Sequence, residues 1–327
     1  MTQTNVTRRV FLGRSVAAAT AVGWLQAGRS HAVAGHGQTN SGSDTGRVYV
    51  ATNVYPWYTF YRREKRDFNA DLDAGLAAVA RAGLDGFESI VNTPEDVDRL
   101  GTLLKKHGLQ MKSFYVNSVL HERKAAEESI ERIVELARKA KAFGAKIVVT
   151  NPSPKSWNRK AKGIDKNDQE LEIQAAALDR LGAALRQNGL TLAYHNHDME
   201  LRNAAREFHH MLLATKPENV GFCLDAHWIF RGSGDSQVAL FDVVQLYGRR
   251  VVEIHLRQSK DGVWTEAFGP GDIDYARLFR TLKGMGVSRP HLVLEQAVEA
   301  DSPKTLDAVE AHRRGAAYVR RLWKETG

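Results

Sequence analysis

The chain has 327 residues, 43% of them hydrophobic, and a formal charge of +8. That length suits two average domains or one α/β barrel. No apolar run reaches the roughly 18 residues that span a bilayer, and a single cysteine, Cys223, excludes an intramolecular disulfide.

The charge overstates the basic character. Arg8, Arg9, Arg14 and Arg29 precede Ala34 with no acid among them, and removing those four leaves +4. The other Lys and Arg residues are scattered over presumed helix faces, not gathered in a stripe, which argues against nucleic acid as a partner. Thr7-Arg8-Arg9-Val10-Phe11-Leu12 resembles the twin-arginine export motif, and a small-residue, weakly apolar run follows from Ser15 to Ala27. Ala32-Val33-Ala34 then has the small-x-small form of a signal-peptidase site. Residues 1–34 therefore read as a twin-arginine signal peptide. They imply periplasmic localisation, export in the folded state and no stable membrane insertion after cleavage. No lipobox cysteine follows. Residues 35–46, rich in Gly, Ser and Asn, read as a flexible linker.

From Arg47 onward, strand-like and helix-like segments alternate in eight pairs. The first strand is Arg47–Val54, followed by an aromatic loop, Tyr55–Asn69, and a helix, Ala70–Ala82. Strand Gly86–Ile90 leads to helix Pro94–His107, and strand Gln110–Val116 leads to helix Glu122–Phe143. In that last helix Ile130, Ile133, Val134 and Ala137 share one face at helical spacing. Strand Ala145–Thr150 is followed by a Lys-rich loop, Asn151–Asn167, which reads as a lid or a solvated face. Helix Asp168–Gln187 comes next, with Gly189 as its C-terminal cap. The fifth strand, Leu190–Tyr194, runs into His195-Asn196-His197-Asp198, with Glu200 just after. Helix Ala204–Ala214 ends before Pro217. Strand Val220–Asp225 contains Cys223 in an apolar run, so a buried, inert thiol is expected. The remaining segments are helix Val238–Tyr247, strand Val251–Arg257, a GPGDID loop, helix Tyr275–Met285, strand His291–Glu295 and helix Pro303–Trp323.

Eight such pairs in residues 47–327 match a single-domain (β/α)8 TIM barrel. The competing open, doubly wound sheet usually has a Gly-rich phosphate turn after its first strand. Here that strand ends in Asn53-Val54-Tyr55-Pro56-Trp57, without glycine. In a barrel the C-terminal strand ends meet at one mouth. Glu88 ends strand two, His195 and His197 end strand five, Asp225 and His227 end strand six, His255 and Arg257 lie on strand seven, and Glu295 ends strand eight. Alternate residues of a strand face the same side, so both members of each pair can point inward. Buried groups of this kind are costly unless paired or metal-bound. His195, Asp225, His255 and Glu295, from four neighbouring strands, form a mixed N/O set. It suits one divalent ion, Mn²⁺, Fe²⁺, Zn²⁺ or Co²⁺, better than Mg²⁺.

These segments also resemble the xylose isomerase-like TIM-barrel superfamily of sugar phosphate isomerases and epimerases. The matching pieces are YHNHDMEL at strand five, GFCLDAHWIFRG at strand six, EIHLRQ with the later GPGDIDY at strand seven, and LVLEQ at strand eight. The resemblance covers Val48 to Trp323 and implies one divalent metal, most often Mn²⁺, on His195, Asp225, His255 and Glu295. It also implies a small-molecule sugar or sugar derivative as partner, and leaves open assembly into a homo-oligomer. Epimerases of the group commonly have Glu where this chain has His195, so exchange of a proton between two metal-bound carboxylates is in doubt here.

The implied activity is metal-dependent isomerisation or epimerisation of a sugar or keto-sugar through an enediolate. Glu295 would be the base, with His197, His227, Glu200 or Glu88 as the second proton-transfer group. Arg257 would hold a substrate oxygen or developing negative charge, or else form a structural ion pair. Trp57, Glu88, Glu200 and Trp228 are the expected substrate contacts. Trp57 with Tyr55 and Tyr58 would form either a wall for the sugar ring or a plug in the barrel top. Two alternatives stand beside this one. The first is a lyase acting on a keto-cyclitol, a dehydroshikimate-type compound or a 3-keto-glycoside. The second is a non-catalytic periplasmic carbohydrate-binding protein.

Overall fold

The computed structural model describes residues 46–158, 160 and 163–327; the expected signal peptide and all of the expected linker but Gly46 lie outside them. Eight parallel strands carry the architecture. They are β1 (Ala51–Asn53), β2 (Gly86–Glu88), β3 (Ser113–Tyr115), β4 (Ile147–Thr150), β5 (Thr191–His195), β6 (Val220–Asp225), β7 (Val251–Leu256) and β10 (His291–Leu294). Their order is β2-β1-β10-β7-β6-β5-β4-β3. Parallel bridges Gly86↔Gln110 and Ile90↔Tyr115 join β2 to β3 and close the ring. This is the expected TIM barrel. Between β7 and β10, strands β8 (Ser259–Lys260) and β9 (Val263–Trp264) form a small antiparallel hairpin. Its turn residues Asp261 and Gly262 both take positive φ, 53° and 79°, as tight hairpins demand.

Strand alternation creates two apolar layers. Leu192, Tyr194, Phe222, Leu224, Ile254 and Leu294 face outward into the large core beneath the helices. Val149, Ala193 and Cys223 form a separate small cluster inside the barrel, and Cys223 is buried and free. Two residues further along, the same inward rows reach His195 on β5 and Asp225 on β6. The period-2 pattern that fills the barrel with small apolar side chains therefore delivers the polar ones to its mouth.

The helices are α1 (Val54–Arg63), α2 (Leu72–Arg81), α3 (Pro94–Lys106), α4 (Arg123–Lys141), α5 (Asp168–Gln187), α6 (Arg202–Leu213), α7 (Ala226–Gly232), α8 (Gln237–Tyr247), α9 (Tyr275–Gly284) and α10 (Ala308–Glu325). Among the described residues none is long and apolar enough to cross a membrane. Besides the hairpin, two helices differ in kind from the expectation. The segment expected as an aromatic loop from Tyr55 folds as α1, because the Asn53 side chain caps it by accepting from Tyr55 N–H at 2.7 Å. Its aromatic residues Trp57, Phe60 and Tyr61 then fall on one buried face. The short α7 was not expected; it begins where the Asp225 side chain accepts the N–H of Trp228 at 3.0 Å. The last helix starts later than expected, at Ala308, where Asp307 supplies the cap.

Gly182 on α5 shows how closely the helices approach the barrel. A Cβ there would lie 2.2 Å from the backbone oxygen of Asn219, just before β6. Gly182→Ala is expected to destabilise the fold by about 1–3 kcal/mol through overpacking. Gly284, exposed at the end of α9 with nothing within 4 Å of such a Cβ, should respond with the opposite sign. Gly284→Ala should stabilise by up to about 1 kcal/mol. Urea unfolding of both variants checks the pair.

Candidate metal centre and cavity

Parallel registers Asp225↔His255 and His255↔Val293 place the ends of β6, β7 and β10 side by side. One ligand atom from each of His195, Asp225, His255 and Glu295 lies within 4.8 Å of the others, and all four residues are buried. His195 Nε2 stands 3.7 Å from Asp225 Oδ2 and 3.9 Å from Glu295 Oε2. His255 Nδ1 is 2.7 Å from Glu295 Oε2. Both ring nitrogens of His195 and Oδ2 of Asp225 are buried without a hydrogen-bond partner. Orphaned buried donors and acceptors are expensive. Their convergence on one point is what a divalent cation would relieve, and two imidazoles with two carboxylates are a fitting donor set for one.

Local structure aims each ligand. Asp225 spends Oδ1 on capping α7, which leaves Oδ2 directed inward. Asn196 pins the same strand end: its Nδ2 donates to the Asp225 carbonyl and its Oδ1 accepts the Asp225 N–H, both at 3.3 Å. Asn151 donates to the His195 carbonyl at 3.0 Å. Behind the centre, His255 Nε2 lies 3.0 Å from Glu253 Oε1 and 3.2 Å from Glu88 Oε1. A carboxylate behind a metal-facing imidazole fixes its orientation and tautomer. Glu88 also accepts from Asn53 Nδ2 at 2.6 Å and Ser113 Oγ at 2.7 Å.

Electrostatics divide the acids from the bases. Burial pushes the Glu295 carboxyl up, but Arg257, His255 and His195 outweigh it and hold it well below the usual carboxylate range. Arg257 Nη2 is 3.1 Å from Glu295 Oε1, and its Nε donates to the Glu295 carbonyl at 3.0 Å. Burial, and then the neighbouring His195, push His197 down to about 3. Burial and Arg257 do the same to His227. Both imidazoles are therefore neutral at neutral pH. Burial and the neighbouring Glu88 push Glu253 well up.

Above the centre opens a cavity of about 780 Å³. His195, His197, Trp228, Arg257 and Glu295 all line it. Asp225 and His255 lie just behind this lining, against His195 and Glu295, and four further residues expected at the site stand apart from it. Trp57 is corrected from wall to core: it is fully buried, stacked on His312 with ring centroids 4.3 Å apart. Glu88 belongs to the barrel interior, as described. Glu200 is buried and accepts the His197 N–H at 2.6 Å, so it shapes the turn that presents His197. His227 is packed edge-on against Trp264 with Nε2 3.2 Å from Ser259 Oγ.

Other residues at the site escaped the sequence reading. Glu253 lies two before His255 on β7, so strand alternation alone would have placed it inward beside the metal residues. Trp264 lies on the unexpected hairpin. Trp157 stands in a loop whose lysines suggest only a solvated face. Tyr115, at the end of β3, meets His195 edge-on at 5.8 Å.

The profile of the xylose isomerase-like TIM barrel family matches residues 76–322. Inosose dehydratase of Mesomycoplasma hyopneumoniae is 25% identical over 274 residues, covering 76% of this chain and 88% of that protein. Among solved structures, L-ribulose 3-epimerase superposes with a TM-score of 0.62 at 16% identity, over 85% of this chain and 95% of that one. A xylose isomerase-like TIM barrel protein from Mycobacterium smegmatis, in complex with magnesium, gives 0.65 at 14% identity, over 86% and 97%. At those identities the structural likeness is one of fold.

The placement of Glu88 has a measurable consequence. Glu88→Ala would strip His255, Asn53 and Ser113 of a shared buried partner. It is expected to cost about 3–5 kcal/mol of stability, read by urea denaturation. An unchanged unfolding midpoint with impaired ligand binding would instead make Glu88 a substrate contact.

Proposed function

The chain belongs to the xylose isomerase-like TIM barrel family, and from that premise we propose that it is a metal-dependent isomerase or epimerase acting on a sugar or keto-sugar. The observation that carries this reading is the set of buried atoms on His195 and Asp225 that have no partner among the described residues, converging with His255 and Glu295 where His195 and Glu295 line an open cavity. A divalent ion on these four residues, for which we propose Mn²⁺, would polarise a carbonyl and its neighbouring hydroxyl and lower the cost of an enediolate.

The protein's own groups divide the remaining work. Glu295, held ionised by Arg257 and His255, accepts a proton from the substrate carbon. His197, neutral and lining the same cavity, is the second proton-transfer group; its Nδ1 has no partner among the described residues. Arg257 Nη1 is likewise without a partner and donates to a substrate oxygen as negative charge develops there. His227, away from the cavity lining, supports the aromatic packing around Trp264.

A dehydratase or other lyase is the second reading, favoured by the likeness to inosose dehydratase. It uses the same floor and the same proton abstraction. It differs only in expelling a leaving group from the adjacent carbon. Incubation of Mn²⁺-loaded protein with sugars, keto-sugars and keto-cyclitols in D₂O, followed by NMR, separates the two. Deuterium at one carbon of an intact skeleton supports isomerisation or epimerisation, and loss of water or an aglycone supports elimination. Asp225→Ala and His255→Ala are expected to lose both bound metal and turnover. Glu295→Gln should retain part of the metal while turnover falls by about two to four orders of magnitude. Protein without metal that gains no activity from Mn²⁺, Co²⁺ or Zn²⁺ would overturn the reading.

We also propose that residues 1–34 direct export of the folded chain to the periplasm and that residues 35–46 link them to the barrel. Arg8→Lys combined with Arg9→Lys should leave folded protein in the cytoplasm. Normal periplasmic recovery in cell fractionation would refute the assignment.

A further inference from the structure

The cavity has two chemically distinct zones. Its floor is the polar cluster already described. Its rim is an unbroken arc of rings: Trp264 meets Trp228 at 5.9 Å, Trp228 meets His197 at 5.8 Å, and His197 meets Trp157 at 5.9 Å. Tyr55 and Ile90 also line the cavity. Three of these side chains are exposed to an extent that core packing does not explain: Trp157 at 60%, Tyr55 at 42% and Ile90 at 37%. An exposed apolar cluster of this kind, gathered at one mouth, marks a binding surface.

Packing in the protein already fixes much of the arc. The Arg257 guanidinium sits 4.5 Å from the Trp264 ring and 4.9 Å from the Trp228 ring. One face of each tryptophan is thereby tied to the residue that reaches the floor. Trp157, at the far end, meets only the edge-on His197 ring among the described residues. The cavity's 780 Å³ lies in the upper part of the range of about 300–1,000 Å³ typical of small-molecule sites. A single sugar ring on the floor would leave the aromatic zone wet and unfilled.

We infer that the aromatic rim binds a planar, apolar group attached to the sugar, so that the substrate is a keto-glycoside, its carbonyl on the sugar ring and its aglycone aromatic, and not a free monosaccharide. This rests on the reading of the floor as a sugar site and adds to it the chemistry of the second half of the ligand. The floor takes the hydroxyl-bearing ring near Arg257 and His197. The aglycone lies against Trp157 and Trp228, with Ile90 and Tyr55 supplying further apolar contact. Transfer of that ring from water onto an apolar surface supplies affinity that a methyl group cannot.

The test compares matched pairs of methyl and phenyl β-glycosides of glucose, galactose and xylose, with cellobiose as the two-sugar comparison. Each is titrated into the Mn²⁺-supplemented full-length protein by calorimetry and by tryptophan fluorescence. In at least one pair the phenyl glycoside should bind about tenfold or more tightly than its methyl partner. Trp157→Ala, at an exposed position where folding is not at stake, should collapse that ratio toward one, and Trp157→Phe should restore most of it. Equal affinities in all three pairs would overturn the inference, as would no measurable binding of any phenyl glycoside. Cellobiose binding more tightly than phenyl glucoside would assign the rim to a second sugar instead. Failure of the metal-dependent reading is separate: it shows as absent metal uptake and absent deuterium incorporation with the aryl preference intact.

Discussion

The arrangement at the mouth depends on the two-sided hydrogen bonding of one imidazole. His255 reaches Glu295 through Nδ1 and the Glu253/Glu88 pair through Nε2. The cavity floor and the barrel interior are thus connected through a single buried ring. An imidazole so held cannot rotate without stranding carboxylates on one side or the other, and each stranded group would carry a desolvation cost of several kcal/mol. The position of Glu295 follows from this, because its other oxygen is taken by Arg257. Arg257 in turn lies against Trp228 and Trp264. A chain of contacts therefore runs from the barrel interior, through the candidate metal residues, to the aromatic rim.

Asp225 shows the same economy at the next strand. One carboxylate oxygen starts a helix and the other turns inward. The helix it starts carries His227 and Trp228, so the geometry of the floor and part of the rim issue from one capping residue. Asn196 and Asn151 add the amide clamps that hold the strand ends, while the His195 ring nitrogens and Asp225 Oδ2 remain without hydrogen-bond partners among the described residues.

Much of this was legible in the sequence, for a physical reason. A parallel barrel buries both faces of its strands, so they read as near-continuous apolar runs, and polar residues at strand ends stand out against that rule. The ends of β5, β6, β7 and β10 did so, and the four residues they carry converge in the structure. What the sequence concealed lies where a local signal had two physical solutions. The aromatic residues after β1 could serve a wall or a plug; the Asn53 cap and the fit against His312 put Trp57 in the core instead, while Tyr55 lines the cavity. The DAHWIFRG segment contains an N-cap whose side chain doubles as a candidate ligand, so α7 was hidden behind the chemistry. Glu253 looked like an ordinary charged residue until the pairing of β7 with β10 brought it, through His255, to Glu88. Trp157 and Trp264 depend on long-range contacts for their meaning, and no local pattern announces those.

The closure of the barrel has a bearing on where the protein can breathe. Seven strand pairs are joined by ladders, that of β6 with β7 shifting register between Phe222 and Cys223 below the mouth, whereas β2 and β3 meet through isolated bridges. In the cyclic order that seam lies diametrically opposite the junction of β6 and β7, the strands that hold Asp225 and His255. Thermal opening takes the path of fewest broken contacts, so the wall parts first at the side that carries none of the four converging side chains. Slack in the ring is thereby kept half a circumference away from the atoms whose spacing matters to within tenths of an ångström.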